Sequence, residues 1–510
     1  DSESIPVANL ILALYRQFGW EFLGVLDGIF VLALYDQEMH ELTLVSDRYG
    51  LRPLYWVRTS EGIAYAGEVK ALLKVPGVRM EIDPQAVDEW FSFGHLLGDR
   101  TWIKDVLLLP SATIMRIGRE GMIQNRYWSW HEVQISPSPH NEADIVDELG
   151  QRWIQAVERR LVHQRTGQFL SGGLDSRAII AALPPDVQDY RTFTFGVARC
   201  DDLNIARRVA KQRGAHHHFF EITAADWLFP RIDAIWRTDG MLRLFDLHGV
   251  EAIPMVKSFI DINVHGYLGD ATVGGSYLSD TTDIDAYLLK KIDMSSPLAL
   301  PRNEALQYLR NLWSRDRYRP DHFLIEQRGR RFINLGLVMQ SAWLEVTLPF
   351  FDHTFMSLVM SIPEDLRRHS YIYNKMLLKF FPQFFARIPW QQTGLPIGAP
   401  HWRYRLQDRK RMMEEGLQSF LQRLHVQLPR TRKSYVDYLE WMRQEPASGL
   451  MQRLLVDRDA LCLHYVDSDK ARSIIHEFMN DRNHHLTTIG LLLSFEIYLS
   501  QLFEPASILR

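Results

Sequence analysis

The sequence predicts an α/β protein in which a parallel sheet with helices on both faces is followed by a largely helical C-terminal part and preceded by a smaller α+β domain. Three observations carry this. From about residue 141 to residue 222, short β-rich runs alternate with amphipathic helical patterns, as in βαβ units. Before about residue 135, one helical stretch leads into short β-rich runs punctuated by Gly and Pro. Beyond residue 285, helical periodicity dominates.

The elements follow in order. Residues 8–18, ANLILALYRQF, space their apolar positions as a helix does, and GIFVLALYD and ELTLVSD are strand-like. LRPLYWV, GIAYAGEVKALL and LLPSATIMRIGREGMIQNRYW extend these into a meander ending near Trp130. VQISPSPHNEAD has the Pro, Ser and charge of a connector and places Asn141 or Asp144 to cap the helix IVDELGQRWIQAVERRL. The boundary falls at about 135, giving a first domain at 1–135 and a second at 140–510. Strand GQFLSG, helix SRAIIAAL, strand DYRTFTFGV, helix LNIARRVAKQRG and strand HHFFEI then alternate, and ALQYLRNLW, RFINLGLVMQSAWLE, HTFMSLVMSI and LLLSFEIYLSQLF are helical in period.

Composition narrows the function. A net charge of -4, with 24% charged residues, offers no large basic surface, so nucleic acid is not an expected partner. Two cysteines, Cys200 and Cys462, are too few for a disulfide scaffold or a thiolate metal cluster and point to a reducing cytoplasm. No apolar run is read as reaching the roughly 18 residues that span a bilayer, and DSESIPVANL lacks a basic leader, so no membrane partner is expected. HHH at 216–218 cannot converge on one metal ion, because neighbours on a strand face opposite sides.

The stretch FLSGGLDSRAII, residues 169–180, carries the chemistry. At a strand-to-helix turn the unpaired N–H groups and the positive end of the helix dipole favour an anion. Gly172 and Gly173 allow close approach, and Ser171 and Ser176 add hydroxyls. The turn lacks the lysine of a Walker loop and has Asp175 instead, which suits a polyphosphate only with a magnesium ion between them.

SGGLDS resembles the pyrophosphate-binding loop of the ATP pyrophosphatases, and its surroundings resemble asparagine synthetase and its relatives. The resemblance implies a Rossmann-like ATP pyrophosphatase sheet, with ATP and Mg2+ as cofactors. It also implies activation of a carboxylate as an acyl-adenylate and release of pyrophosphate and AMP. Phe169, Leu170, Ser171, Gly172, Gly173, Asp175 and Ser176 are then nucleotide-binding. FTFGV resembles the strand that lies against adenine and adds Phe195 and Gly196, and HGYLGDATVGG, residues 265–275, adds His265, Gly266 and the second metal ligand, Asp270. TLPFFDH resembles the family's R-V-P-F-L-D, and YNKMLLKFF resembles the segment of a catalytic lysine, which falls on Lys375. GLPIGAP, residues 394–400, has the Gly and Pro content of a loop able to close over the site.

The departures concern the substrate side. Tyr267 stands where asparagine synthetases have a glutamate, His265 and Ala271 replace their serine and second glutamate, and Thr347 replaces an arginine. Tyr267 resembles β-lactam synthetase-type members, implying either a proton relay with Glu326 or Glu345 or a purely shaping role. The expected partners are a small-molecule or peptide carboxylate with ammonia or an amine, the amine lying within the same substrate if the enzyme is a cyclase. A non-catalytic nucleotide-binding scaffold is the remaining alternative.

The N-terminal part resembles half of the family's glutaminase domain, a partial Ntn-hydrolase-like α+β fold, through LDGIFVLALYD, SDRYGLRPLYW and YAGEVKALL. Asp1 and Val7 stand where that resemblance would want a nucleophile and a glutamine-binding aspartate, so no glutamine hydrolysis is expected from this chain. A missing N-terminal fragment or a homo-oligomer is the corresponding expectation.

Overall fold

The computed structural model describes residues 6–135, 141–161, 165–281, 283–292, 296–316, 319–400, 402–407, 409–410, 412–413, 434–480 and 485–504. Residues 401–424, rich in Arg and Lys, lie largely outside them. The chain divides into two compact units, Asp1–Arg79 with Asp105–Gln134, and Met80–Lys104 with Ile135–Arg510. Where the sequence suggested one cut near 135, the segment 80–104 is contributed to the second unit.

Among the described residues the first unit holds seven strands: β1 (Val31–Asp36), β2 (Glu41–Ser46), β3 (Tyr55–Thr59), β4 (Gly62–Ala66), β5 (Leu107–Leu108), β6 (Thr113–Gly118) and β7 (Gly121–Arg126). They form one sheet of order β1-β2-β6-β7 and another of order β4-β3-β5, with every pairing antiparallel. Period two sorts the core. Val45 and its partner Ile114 pack with Phe22, Leu23 and residues of the opening helix Val7–Phe18, whereas Leu44 and its partner Met115 pack with Leu54 and Leu109. GIAYAGEVKALL is a strand followed by a one-turn helix, Val69–Leu72, rather than a continuous strand run.

In the second unit, β8 (Thr166–Phe169), β9 (Arg191–Gly196), β10 (His216–Glu221), β11 (Ile262–Val264) and β12 (Glu345–Thr347) form a wholly parallel sheet of order β10-β9-β8-β11-β12. The chain steps outward from β8 to β10 and then returns to lay β11 on the other side of β8. That reversal makes the carboxyl ends of β8 and β11 a topological switch point, where open α/β sheets present a crevice. The helix Glu142–Glu158 begins as expected, with the Asn141 side chain accepting from the Ala143 N–H at 3.2 Å.

Three stretches depart from the sequence reading. RFINLGLVMQSAWLE is not one helix: Ile325–Ile333 is π-helical, the α-helix Asn334–Gln340 follows, and Glu345 already opens β12. The helix Pro84–Phe93, capped by Asp83 and ended at Gly94, joins the second unit through Trp90, whose indole donates to the Leu491 carbonyl at 3.1 Å. Leu486–Phe503 is an 18-residue helix long and apolar enough to cross a membrane by length and composition, which corrects the earlier count of apolar runs. Its window is 72% buried inside the protein, and Glu496 within it is paired to Arg458. Those are the marks of a core helix.

Candidate active site

β8 delivers the chain to the switch point, and SGGLDS turns there into the helix Leu174–Ala181. Gly173 is the N-cap and no side chain caps the helix, so the positive end of its dipole is left for a ligand. Leu170 is pinned to the next strand, its N–H donating to the Phe193 carbonyl at 2.7 Å. Within the loop, the Ser171 and Ser176 hydroxyls lie 3.1 Å apart, and Ser171 Oγ accepts from the Gly173 N–H at 3.2 Å. The Gly172 N–H donates to Asp202 at 2.8 Å, and its carbonyl accepts from the Gln391 N–H at 3.2 Å. The residues just before GLPIGAP thus touch the loop.

β11 delivers the second stretch to the same place. His265 follows it directly, its N–H donating to the Thr347 carbonyl at 2.9 Å, and burial lowers its pKa to about 4, which leaves the imidazole neutral. A Cβ on Gly266 would lie 3.1 Å from both the Asp175 Cβ and the Ser176 N, and one on Gly269 would lie 2.6 Å from the Asp175 Cγ and the Phe350 ring. Only glycine lets this stretch approach the loop so closely.

The result is a paired acidic centre. The Asp270 N–H donates to Asp175 Oδ2 at 2.9 Å, the buried Tyr373 hydroxyl donates to Asp175 Oδ1 at 3.1 Å, and Ser276 Oγ donates to Asp270 Oδ2 at 3.0 Å. Burial, and next the neighbouring Asp270 charge, raise the Asp175 pKa to about 8. Two carboxylates so placed repel unless a proton or a cation lies with them, which is the donor chemistry of a hard divalent ion.

The residues that the resemblance placed beside the base also converge. The Phe169 and Phe195 rings are 5.7 Å apart, and Tyr435 packs edge-on to Phe195 with centroids at 5.9 Å. Tyr435 covers Gly196, accepts from the Val197 N–H through its carbonyl at 2.8 Å, and bonds His248 through its hydroxyl.

The predicted substrate-side residues divide. Tyr267 is buried against Phe351, with ring centroids at 5.0 Å, and a Cβ on Gly329 would lie 3.4 Å from its hydroxyl. It therefore rests on the π-helical segment that carries the buried Glu326, three residues earlier. Glu345 is not brought there. It opens β12 in register with Ile262, and its N–H bonds the Asp261 carbonyl at 2.9 Å, at the amino end of the sheet. Strand direction sets this: in a parallel sheet the first and last residues of a strand face opposite edges.

Lys375 also falls elsewhere. Its ammonium, half exposed, bonds Glu142 and, at 2.7 Å, the Tyr371 hydroxyl. The residue of that helix which meets Asp175 is Tyr373, and two residues on an α-helix point roughly 200° apart. The expected lysine is thus displaced from the acidic pair. A cavity of about 900 Å³ lined by Thr166, Tyr190 and Arg191 opens at the amino ends of β8 and β9 and is no part of this site.

Sequence reasoning missed Tyr373, Asp202, Gln391 and Tyr435. Tyr373 lay inside the quoted YNKMLLKFF, where helical period did not say whether Tyr373 or Lys375 faces inward. The other three are joined to the site only by tertiary contacts.

Comparison with known proteins matches residues 6–128 to a glutamine amidotransferase domain and residues 148–336 to an asparagine synthase family. The chain is 26% identical to the glutamine-hydrolyzing asparagine synthetase of Bos taurus, covering 84% of this chain and 74% of that protein. It is also 26% identical to that of Gallus gallus, covering 72% of this chain and 62% of the relative. Against mycobacterial relatives the shared region is 29% identical and spans 36% of their length.

Proposed function

Since the chain belongs to the asparagine synthetase family, we propose that it forms an amide bond at the expense of ATP through an acyl-adenylate. A substrate carboxylate attacks the α-phosphorus and expels pyrophosphate. An amine then attacks the acyl carbon, and amide, AMP and a proton leave. The observation that carries this reading is the meeting of Asp175 with Asp270 beside an uncapped helix N-terminus at the switch point.

Asp175 and Asp270 fit a magnesium ion, since a cation offsets the burial and the Asp270 repulsion that raise the Asp175 pKa. Such an ion would supply charge neutralisation to the departing pyrophosphate. Ser171, Gly172, Gly173 and Ser176 shape the anion cradle, and neutral His265 with Gly266 and the Phe169–Phe195 pair walls the nucleotide side. In this reading ammonia or a substrate amine is the nitrogen source. The Cys200 and Cys462 thiols are free and buried, which suits work in the cytoplasm.

A second reading, an intramolecular cyclase, is favoured by Tyr267 lying on the Glu326 segment, where a phenol and a carboxylate could pass an amine proton. Substrate-dependent exchange of labelled pyrophosphate into ATP tests the proposal. Exchange driven by a carboxylic acid supports it, while the failure of every acid to drive exchange leaves a nucleotide-binding scaffold. If aspartate and ammonia complete the reaction the enzyme makes asparagine; if one molecule supplies both groups it is a cyclase, and Tyr267→Phe then slows the second step alone.

A further inference from the structure

Asp270 is tied to a pair of cations. Ser276, whose hydroxyl donates to Asp270 at 3.0 Å, accepts through its carbonyl from the Lys291 ammonium at 2.6 Å. The next residue, Tyr277, is buried and lies within electrostatic reach of Arg328. Arg328 in turn precedes Gly329, the residue on which Tyr267 rests. Two elements distant in sequence, the helix Ile284–Ile292 and the π-helical segment Ile325–Ile333, therefore bring one positive charge each to the corner occupied by Asp270.

Both cations are held by neutral groups. Among the described residues, Lys291 has the Ser276 carbonyl and the Tyr287 ring at 5.8 Å, and Arg328 has the Phe332 ring at 5.4 Å. Burial lowers the Lys291 pKa, with Asp270 opposing and Arg328 adding to the shift, so the three charges lie within electrostatic reach. Asp280, the other acid acting on Lys291, is paired to Arg368 at 3.4 Å. Partly desolvated cations without a carboxylate partner are stabilised when an anion arrives.

The departing pyrophosphate is that kind of anion, and it must leave beside two carboxylates. SGGLDS has no lysine, and Lys375 is engaged with Glu142. The geometry points to Lys291 and Arg328 as the cations that bind the pyrophosphate end of the nucleotide next to Asp270, an inference that rests on the adenylation reading above. They take the place in charge balance that the motif resemblance gave to Lys375, from residues outside every motif.

Calorimetric titration with inorganic pyrophosphate and Mg2+ tests this without turnover. Lys291→Met and Arg328→Met are each expected to weaken binding about tenfold, the cost of one charged hydrogen bond. Lys291→Arg and Arg328→Lys should retain most of it, which separates lost charge from misfolding. With the acid that best drives exchange, the KM for ATP and pyrophosphate should rise in the Met variants while the KM for the acid holds. Unchanged pyrophosphate binding in both Met variants overturns the inference. So does a raised acid KM with unaltered pyrophosphate binding, which would give the pair to the acid. A wild-type protein that binds magnesium pyrophosphate yet exchanges with no acid sinks the adenylation reading, and the Met variants still decide the cation site. Failure of the wild type to bind magnesium pyrophosphate overturns both.

Discussion

The backbone N–H of Asp270 donates to the carboxylate of Asp175 at 2.9 Å, although 95 residues separate them in the chain. This one contact joins the turn after β8 to the turn after β11 and sets two acids side by side.

Burial of Asp175, and next the neighbouring Asp270 charge, give stability a pH dependence. The Asp175 pKa is about 8 when folded, against about 3.9 for an unfolded aspartate, so the folded state binds the proton more tightly. Its contribution is full below about pH 4 and is lost as pH rises through 8, at up to about 1.4 kcal/mol per pH unit. Mg2+ needs the carboxylate, so its affinity should rise about tenfold per pH unit up to 8. Melting curves in EDTA should fall from pH 5 to 8, with the Mg2+-induced rise larger at pH 8 than at pH 6. Asp175→Asn should flatten both; equal Mg2+ shifts at the two pH values would contradict the assignment.

Gly269 permits the approach, since a Cβ there would stand 2.6 Å from the Asp175 Cγ and the Phe350 ring. Gly269→Ala should cost about 1–3 kcal/mol by overpacking and reduce exchange about a hundredfold by moving Asp175. Thermal melts and exchange rates check both; activity within twofold of wild type would show that the contact is dispensable.

Tyr373 fixes the other Asp175 oxygen from a fully buried position. Tyr373→Phe removes a hydrogen bond to a charged group, worth about 1.5–3 kcal/mol, and should weaken Mg2+ at pH 7 about tenfold. The Mg2+ concentration giving half-maximal exchange is the readout, and no change in it would leave Tyr373 a packing residue only.

Lys375 and Glu345 give the contrasting case. Because one pairs with Glu142 at the surface and the other opens β12 at the far edge, Lys375→Met and Glu345→Gln should each leave exchange within about twofold of wild type. A large loss with Lys375→Met would restore the motif-based role for this lysine.

The sequence by itself determined the alternation that builds the parallel sheet and the glycine-rich turn that holds Asp175, because period and turn chemistry are local properties, while Asp270 came only from the resemblance of its stretch to a family motif. It also carried the Asn141 cap and the strands β8, β9 and β10. β11 and β12, three residues each, are too short to show a period, so the switch point that gives the turn its meaning appeared only in three dimensions. Tertiary structure alone decided which side of the helix Tyr371–Phe380 faces inward, giving Asp175 a tyrosine and leaving Lys375 to Glu142. It likewise set Glu345 at the amino end of β12, away from the turn after β11 that carries Tyr267, because strand direction separates the ends of β12. The physical reason is common to all of these: backbone propensity fixes where an element starts and stops, while which side chains meet depends on how distant elements dock.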